Sequence, residues 1–321
     1  MKRISAIAAA LALAAPVAAN DSTAGHSAGG LVLTRSADID MVSEDLFLSA
    51  DQVRVRYVFR NRSARPVRTV VAFPMPDRDL TEAHFSDVAY PEDFRTLVDG
   101  RPVAMAVERR ALHGGADQTG LLAAMGLTPQ SEFGALDRLP AAQRARLETM
   151  GLAVIDEYDG GKGWERHLVP AWTVKETWHW EQVFPAGRDL VVEHSYRPGT
   201  GGSVGTALAM AEFRASPEGR RMLADYCVDA SFLAGVDRLA RRAGGTVPEQ
   251  RIGYVLTTGA NWRAPIGTFR LVVDKGAAEN LVSFCGEGVR KVSPTRFEMV
   301  RRNWRPDRDL EVLIVMPGGS D

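Results

Sequence analysis

Between residues 53 and 60 the chain alternates. Val53, Val55, Tyr57 and Phe59 are apolar and alternate with Arg54, Arg56, Val58 and Arg60. A period of two with β-branched and aromatic residues on one side predicts a strand with one buried face. Residues 61–66 carry turn chemistry, and 67–73 return apolar until Pro74 and Pro76 stop them. The two runs predict an antiparallel pair joined by a longer loop. Residues 44–49 predict a strand before that pair. Residues 94–98, a turn at Asp99-Gly100 and residues 103–111 predict another hairpin.

Over residues 117–151 the period changes. Leu121, Leu122, Met125, Leu127, Leu136, Leu139 and Leu147 fall at helical spacings. Pro129 and Pro140 stand where helices start, and Gly126 and Gly151 where they stop. Two or three short helices are expected here, and a cover over an open edge or end of the sheet is preferred to a binding lid. Strands resume at 171–184 and 189–197, read as a hairpin around residues 185–188. Residues 199–202 are a glycine-rich break. Ser216-Pro217-Glu218 supplies an N-cap, a first-turn proline and an acidic first turn, and Asp229 caps a further helix ending at Gly244-Gly245. Five strands follow Pro248, at 252–258, 268–274, 281–285, 296–302 and 310–315. The expected fold is mainly β, an antiparallel sandwich (immunoglobulin-like or similar) with two helical insertions. Residues 20–200 would hold the N-terminal sandwich and its insertion near 117–151, and 201–321 a helical stretch plus a C-terminal β region.

The first nineteen residues follow a different rule. Lys2-Arg3 is basic, residues 4–15 are apolar, and Val17-Ala18-Ala19 is a small-residue stop. This predicts a secretory signal peptide cleaved between Ala19 and Asn20, its apolar run too short for a permanent span. No cysteine follows Ala19, so no lipid anchor is expected, and the absence of a later apolar stretch of 18 residues predicts no membrane span. The expected address is the periplasm or beyond, in soluble form. There, the two cysteines, Cys227 and Cys285, favour a disulfide over two buried thiols or a redox pair. It would tie the second helical stretch to a C-terminal strand. The 321 residues carry a net charge of −1, which offers no field for nucleic acid or an anionic membrane.

Four patterns could carry chemistry. Gly201-Gly202-Ser203-Val204-Gly205 matches a nucleophile elbow, yet all six histidines (26, 84, 113, 167, 179 and 194) precede Ser203, the wrong order for that fold. In the expected hairpin His179 would face His194, a weak candidate pair for zinc with a third ligand, although one residue of slip separates them. Trp178 and Trp180 share a strand face and are possible stacking aromatics, with core filling the blander reading. The Arg54, Arg56 and Arg60 stripe could meet an acidic partner or simply be the solvated face of a strand. None of these forms a coherent catalytic set, and no catalytic residue or cofactor is assigned.

Several segments together resemble a known set of exported proteobacterial proteins. They are Asn20-Asp21-Ser22-Thr23-Ala24, Gly29-Gly30-Leu31-Val32, Ser43-Glu44-Asp45-Leu46, Val53-Arg54-Val55-Arg56-Tyr57 and Val71-Ala72-Phe73-Pro74-Met75-Pro76. Later ones are Gly259-Ala260-Asn261-Trp262, Pro265-Ile266-Gly267, Leu281-Val282-Ser283-Phe284-Cys285 and Pro306-Asp307-Arg308-Asp309-Leu310. This is the domain-of-unknown-function family numbered 4424. The resemblance implies an envelope location and a β-rich fold, and brings no activity. Residues 44–111 alone are also similar to the β-sandwich module preceding the von Willebrand domain of inter-α-trypsin inhibitor heavy chains, which implies a scaffold. The functional expectation is a non-enzymatic envelope protein that binds a partner protein or small ligand. The alternative is a periplasmic enzyme, either a hydrolase using Ser203 or a metal site at His179 and His194.

Overall fold

The structure, a computed structural model, describes residues 20–27, 30–81, 91–132, 134–159, 161 and 163–318. The expected signal segment with Ala19, and also His84, lie outside the described residues. The chain opens with β1 (Ser22–Ser27), β2 (Gly30–Thr34), β3 (Ile39–Leu48), β4 (Val53–Asn61) and β5 (Val67–Pro74). Next come β6 (Glu92–Val98), β7 (Ala106–His113), helices α1 (Thr119–Ala124) and α2 (Ala141–Thr149), and the hairpin β8 (Ala153–Asp159) with β9 (Trp164–Pro170). The long strands β10 (Thr173–Phe184) and β11 (Asp189–Arg197) follow. Then come α3 (Ala211–Ala215), α4 (Pro217–Asp225) and α5 (Ala230–Ala243). The chain closes with β12 (Glu249–Tyr254), β13 (Ile266–Asp274), β14 (Leu281–Phe284), β15 (Arg296–Trp304) and β16 (Leu310–Val315).

The strands make a sandwich of two layers. One layer is an eight-stranded sheet whose longer members run β15-β13-β3-β4-β11-β6. The other combines a seven-stranded sheet, with β7-β10-β5-β1-β2 along its path, and a four-stranded sheet containing β12-β16-β14. A single core joins them: Val55, Tyr57, Phe59 and Leu271 from the first sheet, Phe73, Trp180 and Phe184 from the second, Ile252, Tyr254 and Val312 from the third. The named strands pair antiparallel except β13, which runs parallel to β3. The mainly β, sandwich-like expectation holds. β13 pairs with β3, and the core takes residues from both sides of position 201.

Three pairings differ from expectation. Strands β4 and β5 are not a hairpin. β4 lies between β3 and β11, whereas β5 lies between β1 and β10 in the opposite layer. The loop after Asn61 therefore crosses from one sheet to the other. Strands β10 and β11 part in the same way, into different sheets. The Asp99-Gly100 hairpin is real but short, pairing β6 only with Arg101–Pro102, and the chain then crosses over to form β7. Both turn residues have positive φ, 47° and 75°, as a tight hairpin turn requires. Each error has one cause: period and turn chemistry are local, whereas a sandwich is completed by crossing between layers.

The local signals fared better. Helices α1 and α2 lie inside the expected insertion and build a small second core, with Leu122, Leu127, Leu136 and Leu147 against Ala111, Trp172 and Val174 of the β7–β10 region. Ser216 caps α4 by accepting from the Gly219 N–H, with Pro217 at the first helical position. Asp229 accepts from the Phe232 N–H at 2.7 Å, and Gly244 ends α5 in the left-handed region. Those helices cover the outer face of the four-stranded sheet through Phe232, Val236, Leu313 and Val315. The Cys227–Cys285 disulfide is formed, with Cα atoms 5.0 Å apart, and ties the end of α4 to the end of β14.

Candidate functional site

The residues singled out in the sequence do not converge. Ser203 is exposed on the short strand Gly201–Ser203 at the edge of the four-stranded sheet. Its hydroxyl donates to the Gly205 carbonyl at 3.0 Å and accepts from the Gly205 N–H, so it closes a turn. His179 and His194 sit in opposite layers, so the facing pair expected of them does not arise. Alternation along β10 puts His179 on the face away from Trp180, whereas His194 is 2% exposed and packs edge-on to Trp180 inside the sandwich. Trp180 belongs to the core and leaves no open face for a ligand. Trp178 is half-buried, stacked on Phe94 at 4.9 Å, and donates to Glu176.

Two other places carry unbalanced chemistry, on the two faces of the β3–β4 pair. The outer face forms an open groove of about 530 Å³. Phe47 and Val272, neighbours in register on β3 and β13, make its apolar floor. Above them stand four arginines, Arg54, Arg56, Arg270 and Arg296, with two acids, Asp45 and Glu193. Arg270 bonds Asp45 and Glu298, Arg296 bonds Asp274, and Arg56 reaches Glu193 only at 4.0 Å. Arg54 lies opposite Phe47 in the strand register and stacks over its ring at 4.7 Å, a cation–π geometry. Among the described residues no carboxylate lies within ion-pair distance of Arg54. A second groove of about 560 Å³ beside the disulfide also has arginines, but these are engaged: Arg301 with Glu287, Arg305 with the Ala260 carbonyl, Arg308 with the Asp225 carbonyl.

The inner face holds a buried polar cluster that pattern reading missed. A bulge between Met41 and Ser43 shifts the register of β3. Ile39 and Met41 point inward before it, and Glu44, Leu46 and Leu48 after it. Glu44 is thereby carried into the core opposite Tyr57, whose hydroxyl is 2.9 Å from that of Tyr254. Burial pushes the Glu44 carboxyl up to about 8, helped by the charge of Asp21 and opposed by a hydrogen bond from Asn20. Asn20 and Asp21 have no exposed surface. The Asn20 side chain donates to Glu44 Oε2 at 2.9 Å, and the Asn20 backbone carbonyl accepts from the Thr258 hydroxyl at 2.6 Å. The Asp21 carbonyl accepts from the Trp262 indole at 2.6 Å, and Asp21 Oδ1 lies 3.1 Å from His194 Nε2. Thr96, opposite His194 on β6, meets Nδ1 at 2.8 Å. Both ring nitrogens are engaged, Nε2 by the acid and Nδ1 by the hydroxyl, which also donates to Met105 Sδ. Burial raises the Asp21 carboxyl, and His194 pulls it back. Gly259 permits the approach, since a Cβ there would come within 2.8 Å of the Asn20 amide.

A family model described as "Domain of unknown function (DUF4424)" matches residues 19–313. The chain belongs to this family. No curated protein matches it. Among solved structures it is similar to a protein of Legionella pneumophila described as a "putative nutrient binding protein", at 14% identity and a TM-score of 0.46, covering 92% of this chain and 70% of that one.

The DUF4424 match gives the buried cluster a further meaning. Three segments that carried the sequence resemblance, Asn20-Asp21-Ser22, Ser43-Glu44 and Gly259–Trp262, are far apart in the chain and meet at this one place. The visible signal for His194 was its parity with Val192 and Tyr196 on β11, which marks an inward position. For Glu44 there was none, because a bulge is not written in the alternation. Among the described residues no group of three or more His, Cys, Asp or Glu side chains is placed to hold a metal ion, and no helix is long and apolar enough to cross a membrane.

Proposed function

We propose that this protein is a non-catalytic β scaffold of the bacterial envelope that binds an acidic partner segment in the outer groove of the eight-stranded sheet. The observation that carries the reading is Arg54: a guanidinium with no carboxylate partner among the described residues, stacked on Phe47 in an open groove. A carboxylate entering there gains a charge-assisted, bidentate bond, and the Phe47–Val272 floor takes the apolar part of the same ligand. The signal-like leader and the Cys227–Cys285 bridge support an oxidising, exported address. The test is fluorescence anisotropy with a labelled hexaglutamate peptide. Binding at low salt that weakens with added salt and drops about tenfold in Arg54→Ala supports the reading. Equal signals for wild type and Arg54→Ala sink it.

A further inference from the structure

The inner cluster sets two carboxyl groups, Asp21 and Glu44, against one imidazole, His194. Asn20 Oδ1, Asp21 Oδ2 and Glu44 Oε1 are buried and have no hydrogen-bond partner among the described residues. Two of them belong to carboxyl groups enclosed by the core, where an unmatched acceptor is costly. Their common need is a small cation with several N–H donors. An α-ammonium group has three such donors and one charge. The nitrogen that would carry it is bonded to the Asn20 Cα, whose side chain already reaches Glu44 at 2.9 Å. In the uncut chain that nitrogen is a neutral amide with a single hydrogen. On cleavage water adds across the Ala19–Asn20 bond and the C–N bond breaks. Ala19 leaves with a carboxylate, and the amine of Asn20 takes up a proton.

We infer that Asp21, Glu44 and the Asn20 side chain form a receptor for the chain's own α-ammonium, created when a signal-cleaving peptidase removes residues 1–19. The inference rests on the exported reading given above. Export then completes the core: the mature end fixes the start of β1 through Thr258, Asn261 and Trp262, which already hold Asn20, Ser22 and Asp21. The uncut chain keeps the buried acids without that ammonium.

Two versions of the mature protein decide this, one beginning at Asn20 and one at Ala19, each with Glu44 or with Glu44→Gln. The Asn20-start protein should melt higher than the Ala19-start protein by roughly 5 °C or more at neutral pH. Glu44→Gln should abolish most of that gap by lowering the Asn20-start form alone. Equal melting of the two starts, or a gap that survives Glu44→Gln, overturns the proposal. A readout independent of the substitution is acylation of the α-amine in the wild-type Asn20-start protein. It should be slow when folded and fast in urea, and equal rates overturn the receptor. The intact mass of the exported protein separates the two readings. A start at Asn20 supports both, and a start elsewhere overturns the receptor while leaving export standing. A chain retained uncut overturns export, and the receptor with it.

Discussion

The two faces of the β3–β4 pair carry opposite imbalances, and solvent decides what each means. Inside, Glu44 and Asp21 bring more acid than the core matches. Outside, Arg54 brings a base with no acid partner among the described residues. Neighbouring strands and one register produce both. An unmatched acceptor in the core loses its water and costs about 1–3 kcal/mol or more, so it must be resolved within the folded chain. An unmatched guanidinium at the surface keeps its water and costs almost nothing, so it can wait for a partner. The inner face is therefore the place where changes should unfold the protein, and the outer face the place where changes should alter only binding.

The largest effect should come from His194→Ala. It removes the side chain bonded to Asp21 Oδ1 and opens a hole among Tyr57, Phe73 and Phe94. A loss of about 3–5 kcal/mol is expected in urea unfolding. A loss below about 1 kcal/mol would show that the cluster does not hold the inner face. Reducing the disulfide is the control away from both faces. Cys227→Ser with Cys285→Ser frees a loop spanning a sequence separation of 58, and should cost about 2–5 kcal/mol without changing groove binding.

The next effect is a pH slope. The folded Glu44 carboxyl sits at about 8, against an ordinary value of 4.5. Between those values the folded chain holds a proton that the unfolded chain has released. Stability is therefore full below about 4.5 and falls as pH rises towards 8, by up to about 1.4 kcal/mol per pH unit. Asp21, Tyr57 and Tyr254 face the same group, and His194 reaches it through Asp21, so the slope must be assigned by comparison with Glu44→Gln. The Ala19-start protein should show the slope and its Glu44→Gln variant a flatter one. In the Asn20-start protein the ammonium holds the carboxyl charged and the slope should shrink. An identical pH profile in all three removes Glu44 from the account.

How much of this could be read beforehand depends on whether a feature is local. The Val53–Phe59 alternation, the caps at Ser216 and Asp229 and the glycine stop at Gly244 are set by near neighbours, and they stand as expected. The crossing of β4 to β5 and of β10 to β11 between layers depends on which faces meet at the end of folding, and no turn residue announces it. The Arg54 stripe was visible, but the ring beneath it was not, because Phe47 reaches Arg54 only through the β3–β4 register. Glu44 was hidden twice, by the bulge that turns it inward and by an acidic neighbour, Asp45, that points outward and pairs with Arg270.

Arg54→Ala should have the smallest effect on the fold and the clearest effect on function. The side chain is exposed and has no ion pair among the described residues, so its removal should change unfolding free energy by no more than about 0.5 kcal/mol. Lys at this position keeps the charge but loses the planar fork and the stacking on Phe47, so Arg54→Lys should fall between wild type and Arg54→Ala in hexaglutamate binding. Phe47→Leu tests the floor: it keeps the apolar surface and removes the ring, and should weaken binding without abolishing it. If Arg54→Ala destabilises the fold as much as His194→Ala does, the contrast between the faces is wrong and Arg54 is a structural group. If it leaves the fold intact and removes binding, the outer imbalance is the functional one and the inner imbalance belongs to folding.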